Sequence, residues 1–177
     1  MYVLVISMGH VYLYIGAGGG KTTNALGLAL RSVGHNHRVV IIQFLKWWKN
    51  IGEYKIQKKL APYYEIYQFG RPGWIGLKNL REEDKELARR GMAFARTMIK
   101  EKKPHLLVLD EINLALHLKL LDVKAVIEFL NEIPERTDVV LTGRDAPKEL
   151  LVKADFVNEI VDLKHPKKIP TRKGIQY

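Results

Sequence analysis

A lysine and two threonines directly follow a glycine-rich stretch, and together these residues could bind the phosphates of a nucleotide. The glycine-rich stretch is Gly16-Ala17-Gly18-Gly19-Gly20, and Lys21-Thr22-Thr23 comes next. Glycines allow successive backbone N–H groups to point inward at an anion. Lys21 would add a full positive charge, and the Thr22 hydroxyl could bind a phosphate-bound Mg²⁺. The pattern therefore predicts a phosphate-binding loop, a Walker A motif, and not a plain turn.

The predicted loop is one residue shorter than the common pattern, G-x-x-x-x-G-K-[ST]. That pattern would place a glycine where this chain has Ile15, so the loop here runs from Gly16 to Lys21. The apolar segment before the loop, 11–15, predicts a short buried strand. The segment after it, 21–33, predicts a helix whose amino terminus adds its positive end to the anion site. We expect Gly34 to end that helix in a left-handed conformation.

Two acidic residues form the second group of candidate site residues. Asp110 and Glu111 directly follow the apolar segment 106–109. A buried strand that presents carboxylates at its carboxyl end is typical of a Walker B motif, whose acids hold Mg²⁺ directly or through water. The sequence therefore predicts a metal site made of Thr22, Asp110 and Glu111.

The rest of the chain alternates apolar segments with amphipathic ones. Further strands are predicted at 38–44, 65–69, 139–144 and 156–161, and further helices at 82–102 and 122–131. On the longer helix we expect one apolar face, formed by Leu87, Gly91, Phe94 and Met98. Strands that alternate with helices favour an α/β fold with a mostly parallel central sheet and helices on both faces. We expect a single domain over residues 1–177.

The composition is that of a soluble globular protein, with 47% apolar and 27% charged residues and no cysteine. The absence of cysteine excludes disulfides and thiolate catalysis. No apolar run approaches the roughly 20 residues of a membrane span. Residues 1–7 are apolar but lack the features of a signal peptide, so we expect an extra strand there, or an artefact if translation starts at Met8. We expect a cytoplasmic protein without membrane attachment.

The net charge is +10, which favours an anionic partner such as a nucleotide or a nucleic acid. The basic residues are spread along the chain, however, and a well-solvated surface explains them better than a nucleic-acid interface.

His35 and His37 could bind a metal, but a polar turn is the better interpretation without a third ligand nearby. Trp47 and Trp48 follow a predicted strand. They could pack in the core or form an apolar platform beside a ligand.

Taken together, these motifs resemble those of the P-loop ATP:corrinoid adenosyltransferases, which have a RecA-like fold. The matching segments are the short loop at 16–23 and residues 30–35, 43–46, 52–53, 108–111, 142–144, 154–155, 164–165 and 174–177. This chain departs from the family pattern at Gly19, where the family usually has lysine. It also departs at residues 70–74, where the family has a Gly-Phe-Thr-Trp stretch and Trp74 alone carries over as a corrinoid contact.

The resemblance implies transfer of the 5′-deoxyadenosyl group of ATP to the Co(I) of a corrinoid, with release of triphosphate, in the biosynthesis or salvage of adenosylcobalamin. It implies that the loop residues 16–23 bind ATP and that Lys21, Thr22 and Glu111 act in catalysis. Arg31 and Arg144 would contact the nucleotide or organise a loop. The resemblance also implies Mg²⁺ as a cofactor, a reductase or flavin as reductant, and a homodimer.

Two other functions are compatible with the same motifs. A RecA-like ATPase that binds nucleic acid would use Glu111 to orient water and the basic surface to bind phosphates. No stacking platform supports that function, and the carboxyl-terminal match at 174–177 has no role in it. A family member without activity, which only binds ATP or corrinoid, is the other alternative, and Gly19 would be its mark.

Overall fold

A computed structural model describes residues 9–73, 79–168 and 171–176 of the chain. The described residues form one six-stranded sheet in the order β3-β2-β4-β5-β1-β6, and every strand pair is parallel. The strands are β1 (Val11–Ile15), β2 (Val39–Phe44), β3 (Tyr64–Phe69), β4 (Leu106–Asp110), β5 (Asp138–Thr142) and β6 (Phe156–Glu159). The predicted α/β fold with a parallel sheet is confirmed. The extra strand predicted for residues 1–7 lies outside the described residues.

Seven helices connect the strands within the described part of the chain. They are α1 (Lys21–Val33), α2 (Gly52–Lys55), α3 (Gln57–Leu60), α4 (Glu82–Lys102), α5 (Ile112–His117), α6 (Val123–Asn131) and α7 (Lys148–Lys153). The three longest were predicted, whereas α2, α3, α5 and α7 were not. Among the described residues, no helix combines the length and apolarity that crossing a membrane requires.

The core lies on both faces of the sheet because the central strands are covered on both sides. All six residues of β2 and all five of β4 are buried. Along β2, Val40 and Ile42 pack on one side with α4, α5 and α6, and Val39 and Ile41 pack on the other with α1. Strands buried in this way are continuous apolar runs, as the sequence of a parallel sheet predicts.

The parallel register brings the carboxyl ends of separate strands to one edge of the sheet. Gln43 of β2 pairs with Asp110 of β4, and Tyr14 of β1 pairs with Thr142 of β5. The glycine-rich loop leaves β1 at this same edge. Open α/β sheets bind ligands at this edge, outside the carboxyl ends of their strands.

The predicted left-handed end of α1 is wrong. Gly34 has φ −59° and ψ −19°, which is right-handed, and its N–H donates to the Leu30 carbonyl at 3.0 Å. The chain takes the left-handed conformation two residues later, at Asn36 (φ 60°). Asparagine tolerates this conformation better than most residues because its short polar side chain can bond locally.

The buried face of α4 is wider than predicted. Gly91 and Met98 are buried as expected, but Leu87 and Phe94 are only half-buried. Further small and apolar residues complete the buried face: Ala88, Met92, Ala95 and Ile99. The alanines and Gly91 let the helix approach the sheet closely.

Replacing Gly91 by alanine will destabilise the fold, although alanine favours helix. An added Cβ would lie 2.8 Å from Phe44 Cε1 and 3.2 Å from Phe69 Cγ, and Phe44 is fully buried and cannot move aside. Overpacking of this kind costs about 1–3 kcal/mol, which exceeds the gain of up to about 1 kcal/mol from replacing a helical glycine. Gly27→Ala on α1 is the matched control, because a Cβ there meets nothing within 4 Å. Urea unfolding should show a lower free energy of unfolding for Gly91→Ala and a higher one for Gly27→Ala. Equal effects would contradict this packing.

Candidate functional site

Glycines shape the loop between β1 and α1 in two ways. Gly16 and Gly20 have φ of +104° and +109°, a region that residues with a Cβ seldom adopt. Gly18 lies against the chain after β6, because its N–H donates to the Ile160 carbonyl at 2.9 Å. At Gly19, by contrast, a Cβ would meet nothing within 4 Å. Three of the four loop glycines are therefore needed for the loop's shape, and Gly19 is not.

Lys21 lies across the loop that precedes it. Its Nζ donates to the carbonyls of Gly16 and Gly18, both at 2.7 Å, and the residue is buried. Burial lowers the pKa of Lys21, and the charge of Arg144 lowers it further, against the opposing effect of Glu111. The ammonium group is therefore held inside the predicted phosphate cradle.

Asp110 is the centre of a hydrogen-bonded cluster at the end of β4. Its Oδ1 accepts from Thr22 Oγ1 at 2.8 Å and from Thr142 Oγ1 at 2.7 Å. Its Oδ2 accepts from Lys46 Nζ at 2.7 Å and from Gln43 Nε2 at 3.0 Å. Burial alone would raise the pKa of this carboxyl, but the Lys46 charge and the hydrogen bonds together lower it. Asp110 is therefore ionised and fully hydrogen-bonded.

Glu111 begins the next helix in a left-handed conformation, with φ 62°. Its N–H donates to Thr142 Oγ1 at 3.0 Å, which ties the turn to the end of β5. Burial raises the pKa of the Glu111 carboxyl, and Asp110 raises it further. The charges of Lys46, Lys21 and Arg144 act in the opposite direction. Glu111 thus adds a second acidic group beside Asp110, and both acids experience the charge of Lys46.

The candidate ligands fit Mg²⁺ by their chemistry. Carboxylate and hydroxyl oxygens are the donors that this hard cation prefers, and it also keeps several waters and phosphate oxygens. Asp110 and Glu111 with the Thr22 hydroxyl form such a set. Among the described residues, no group of three or more His, Cys, Asp or Glu forms a metal cage, so nucleotide phosphates would have to complete the coordination.

The structure brings together most of the predicted site residues. The loop residues 16–23 and Lys21, Thr22, Asp110 and Glu111 share the carboxyl edge of the sheet, and Arg144 is close enough for its charge to act on Lys21 and Glu111. Trp74 lies outside the described residues.

Arg31 is not part of this group. It lies in the last turn of α1 and lines a depression of about 460 Å³ at the opposite edge of the sheet, with His37, His105 and Arg136. The rings of His37 and His105 stack there, with their centroids 4.3 Å apart. His35 and His37 belong to no group of three or more potential metal ligands among the described residues.

The tryptophans after β2 are not core residues, because Trp47 is 41% exposed and Trp48 is 51% exposed. They follow β2 at the carboxyl edge of the sheet, where the site lies.

The departure from the family pattern at residues 70–74 is explained in part by the role of Arg71. Arg71 is buried, and its Nε and Nη2 donate to the two carboxylate oxygens of Asp84 at 3.0 and 3.2 Å. Arg71 therefore anchors the loop to the start of α4 and is not available to a ligand.

Four residues of the site had no assigned role in the sequence analysis. Gln43, Lys46 and Thr142 surround Asp110, and Asp162 Oδ1 accepts from the Gly19 N–H at 3.0 Å. Gln43 is the only polar residue within the apolar strand β2, and Lys46 follows that strand. These two signals could have identified Gln43 and Lys46 from the sequence. No local pattern indicates Asp162.

A cavity of about 560 Å³ opens beside the loop and the Asp110 cluster, a volume within the range of small-molecule sites. Its polar wall includes Thr22, Lys46 and Glu53. Its apolar wall comes from α1, from α3 and the residue before it, and from the first residue of β3: Leu26, Leu30, Ile56, Leu60 and Tyr64. Gly174, Ile175 and Gln176 complete it, so the carboxyl-terminal segment contributes to the site.

The loop glycines allow a matched comparison. Gly18→Ala would place a Cβ 2.7 Å from the Ile160 carbonyl oxygen, whereas Gly19→Ala meets open space. We expect Gly18→Ala to weaken ATP binding at least tenfold, because the loop must shift away from the chain after β6. The ATP affinity of Gly19→Ala should stay within about twofold of the wild-type value. Calorimetric titration with ATP measures both, and equal affinities would contradict the loop geometry.

The parallel sheet, the glycine loop before α1 and the acids at the end of β4 define a P-loop nucleotide-binding protein with a RecA-like fold. A solved KaiC-like protein from the archaeon Pyrococcus horikoshii OT3 has a similar fold. Its TM-score is 0.54 at 17% identity, and the match covers 85% of this chain and 70% of that protein.

The chain belongs to the ATP:corrinoid adenosyltransferase BtuR/CobO/CobP family, whose model matches residues 7–177. A corrinoid adenosyltransferase from Sinorhizobium sp. is 32% identical, over 96% of this chain and 80% of that protein. The Escherichia coli K12 corrinoid adenosyltransferase is 33% identical, over 89% of this chain and 79% of its own length. The CobA enzyme of Salmonella typhimurium LT2 is 32% identical with the same coverage. The family resemblance of the motifs is thereby confirmed.

Proposed function

We propose that this protein transfers the 5′-deoxyadenosyl group of ATP to the Co(I) of a corrinoid. In this reaction the cobalt electron pair attacks the ribose C5′, the C5′–O bond breaks, and the triphosphate leaves with the bonding electrons. Family membership supports the proposal, and the arrangement of Lys21 inside the glycine loop beside the Asp110 cluster is the structural observation that carries it.

The nucleophile in this reaction belongs to the substrate, so the protein needs no nucleophilic side chain. The chain contains no cysteine. The work left to the protein is to hold both substrates and to stabilise the charge that develops on the triphosphate.

In this proposal the glycine loop binds the triphosphate through its backbone N–H groups and Lys21. Thr22, Asp110 and Glu111 would hold Mg²⁺, and the ion would neutralise part of the leaving group's charge. Arg144 adds a positive charge near Lys21 and Glu111. These contacts accelerate the transfer to the extent that they strengthen as charge develops on the leaving triphosphate, and a preorganised phosphate cradle is suited to that role.

The apolar cavity beside the loop supports a role in holding the adenosine or the corrinoid. Its wall of leucines and isoleucines lies next to Thr22 and Lys46, so a bound group would be close to the phosphates. The exposed Trp47 and Trp48 offer further apolar surface at this edge. A site that excludes water would protect the strongly reducing Co(I) from side reactions.

Four accompanying proposals concern the setting of the reaction. The chain functions as a single domain, because the described strands form one sheet. A reductase or a flavin supplies the reduced corrinoid, since ATP carries no reducing equivalents. The enzyme works as a homodimer, as the family resemblance implies, and its place of work is the cytoplasm.

Mass spectrometry of the corrinoid tests this function directly. We expect incubation with Mg-ATP and chemically reduced cobalamin, without oxygen, to add one 5′-deoxyadenosyl group to the corrinoid. Omitting the reductant should abolish the product. If no corrinoid adduct forms while ATP is still bound, the chain binds ATP without transferring the group.

A further inference from the structure

A lysine occupies the centre of the predicted metal site. Lys46 Nζ lies 2.7 Å from Asp110 Oδ2 and 3.3 Å from Thr22 Oγ1. These two side chains are candidate ligands of Mg²⁺, so the ammonium group contacts the same oxygens that a metal would use.

The neighbouring residues fix the backbone at Lys46 but not its side chain. Leu45 turns the chain after β2 with φ 60°, and its N–H donates to the Phe69 carbonyl at 3.0 Å. Gly70 packs so closely that a Cβ there would lie 2.5 Å from Lys46 N. The end of β3 thus clamps the backbone from which the lysine side chain extends toward Asp110.

The ion pair is too deeply buried to be an ordinary surface contact. The Asp110 side chain is 1% exposed and that of Lys46 is 27% exposed. Taking two charges out of water is costly, and such pairs persist where geometry and additional hydrogen bonds compensate. Lys46 is one of the residues that line the cavity beside the loop, and its exposed fraction faces that cavity. A ligand in that cavity would therefore touch the ammonium group.

We propose that Lys46 is a mobile cation that links Asp110 to the phosphates of ATP. Without metal, Lys46 bridges Asp110 and a phosphate oxygen, so that the buried carboxylate does not repel the nucleotide. When Mg²⁺ binds to Asp110 and Thr22, Lys46 moves from the carboxylate to a phosphate oxygen. The flexible four-carbon stem of lysine allows a movement of a few ångströms. This proposal rests on the proposed metal and nucleotide site.

Two cations from different elements then act on the phosphates. Lys21 is bonded to the loop carbonyls of Gly16 and Gly18, and Lys46 comes from the end of β2. If Lys46 stayed in place as Mg²⁺ arrived, like charges would meet at Asp110. The exchange removes that repulsion and retains the positive charge for the leaving triphosphate.

ATP binding with and without Mg²⁺ tests the exchange independently of activity. Calorimetric titrations with ATP, in EDTA and in excess Mg²⁺, would compare the wild type with Lys46→Met and Lys49→Met. Lys49 is the matched control, because it is an exposed lysine of the same segment whose described contact is the Tyr54 ring, 6.0 Å away.

We expect Lys46→Met to weaken metal-free ATP binding at least tenfold, because Asp110 then repels the nucleotide. The strengthening of ATP binding by Mg²⁺ should become at least tenfold larger than in the wild type, since Mg²⁺ no longer competes with the lysine. Lys49→Met should change both quantities by less than about twofold. Lys46→Gln, which keeps a hydrogen-bond donor for Asp110, should behave like Lys46→Met and serves if the methionine variant does not fold.

If Lys46→Met and Lys46→Gln match Lys49→Met while Mg²⁺ strengthens binding in the wild type, Lys46 is a structural ion-pair partner only and the proposal is wrong. If Mg²⁺ has no effect on ATP binding in the wild type, the proposed metal site fails, and the exchange fails with it. The two failures are therefore distinguishable.

Discussion

Replacing Lys21 by methionine is expected to reduce kcat/KM for ATP by about 100- to 1000-fold, the loss typical for removing a preorganised group that stabilises developing charge. Lys21 Nζ is held inside the loop by two carbonyls at 2.7 Å, so its charge is already in place when the triphosphate arrives. Methionine keeps much of the stem but removes the charge and both hydrogen bonds. Steady-state adenosylation at varied ATP concentration measures the effect.

The control for this variant is Lys58→Met, which removes a positive charge from the exposed face of α3. Its kcat/KM should stay within about twofold of the wild type. If Lys21→Met loses no more activity than Lys58→Met, the loop does not bind the triphosphate and the site has been misplaced.

Replacing Asp110 by asparagine is expected to destabilise the protein and to abolish the effect of Mg²⁺ on ATP binding. The change leaves Lys46 without its carboxylate partner. Breaking a buried ion pair costs about 3–5 kcal/mol, and we expect the lower end of that range because the Lys46 side chain is 27% exposed. Urea unfolding of Asp110→Asn measures the loss. Asp145→Asn, at an exposed left-handed residue that asparagine tolerates, should lose less than about 0.5 kcal/mol.

The loss for Asp110→Asn should also depend on pH. Because the pKa of Asp110 is lowered in the folded protein, its contribution to stability is fully present above the unfolded pKa of about 4. The contribution decreases as pH falls through the lower folded pKa. The difference in unfolding free energy between wild type and Asp110→Asn should therefore be constant from pH 6 to 7 and shrink below about pH 4. A difference that grows toward acid would contradict the ionised state of Asp110.

The long elements could be predicted from the sequence because each carries its own local pattern. β2 is a continuous apolar run, and α4 repeats its small and apolar residues over 21 positions. The helices that were missed have four to six residues, which is too short for helical periodicity to be visible. Their formation depends on tertiary contacts.

The site shows the same division between local and long-range information. Lys21 and Thr22 adjoin the glycines, so the motif alone identifies them. Lys46 and Asp110, by contrast, are 64 positions apart, and only the register of β2 against β4 brings them together. A prediction that lacked this register could name each residue but not the contact.

Arg31 shows how the length of a helix separates residues that are near in sequence. It belongs to a segment that matches the family, but α1 separates it from the loop. The helix has 13 residues, a length of about 20 Å at 1.5 Å per residue. A residue in the last turn therefore lies well away from the loop, and the nucleotide contact of Arg31 stays a prediction.

The phosphate product of the reaction tests the central proposal most directly. Phosphorus NMR of the reaction with Mg-ATP should show intact triphosphate, formed only when reduced corrinoid is present and in an amount equal to the adenosylated product. ADP and inorganic phosphate, formed without corrinoid and stimulated by single-stranded nucleic acid, would instead show that the site hydrolyses ATP and that the transferase proposal is wrong.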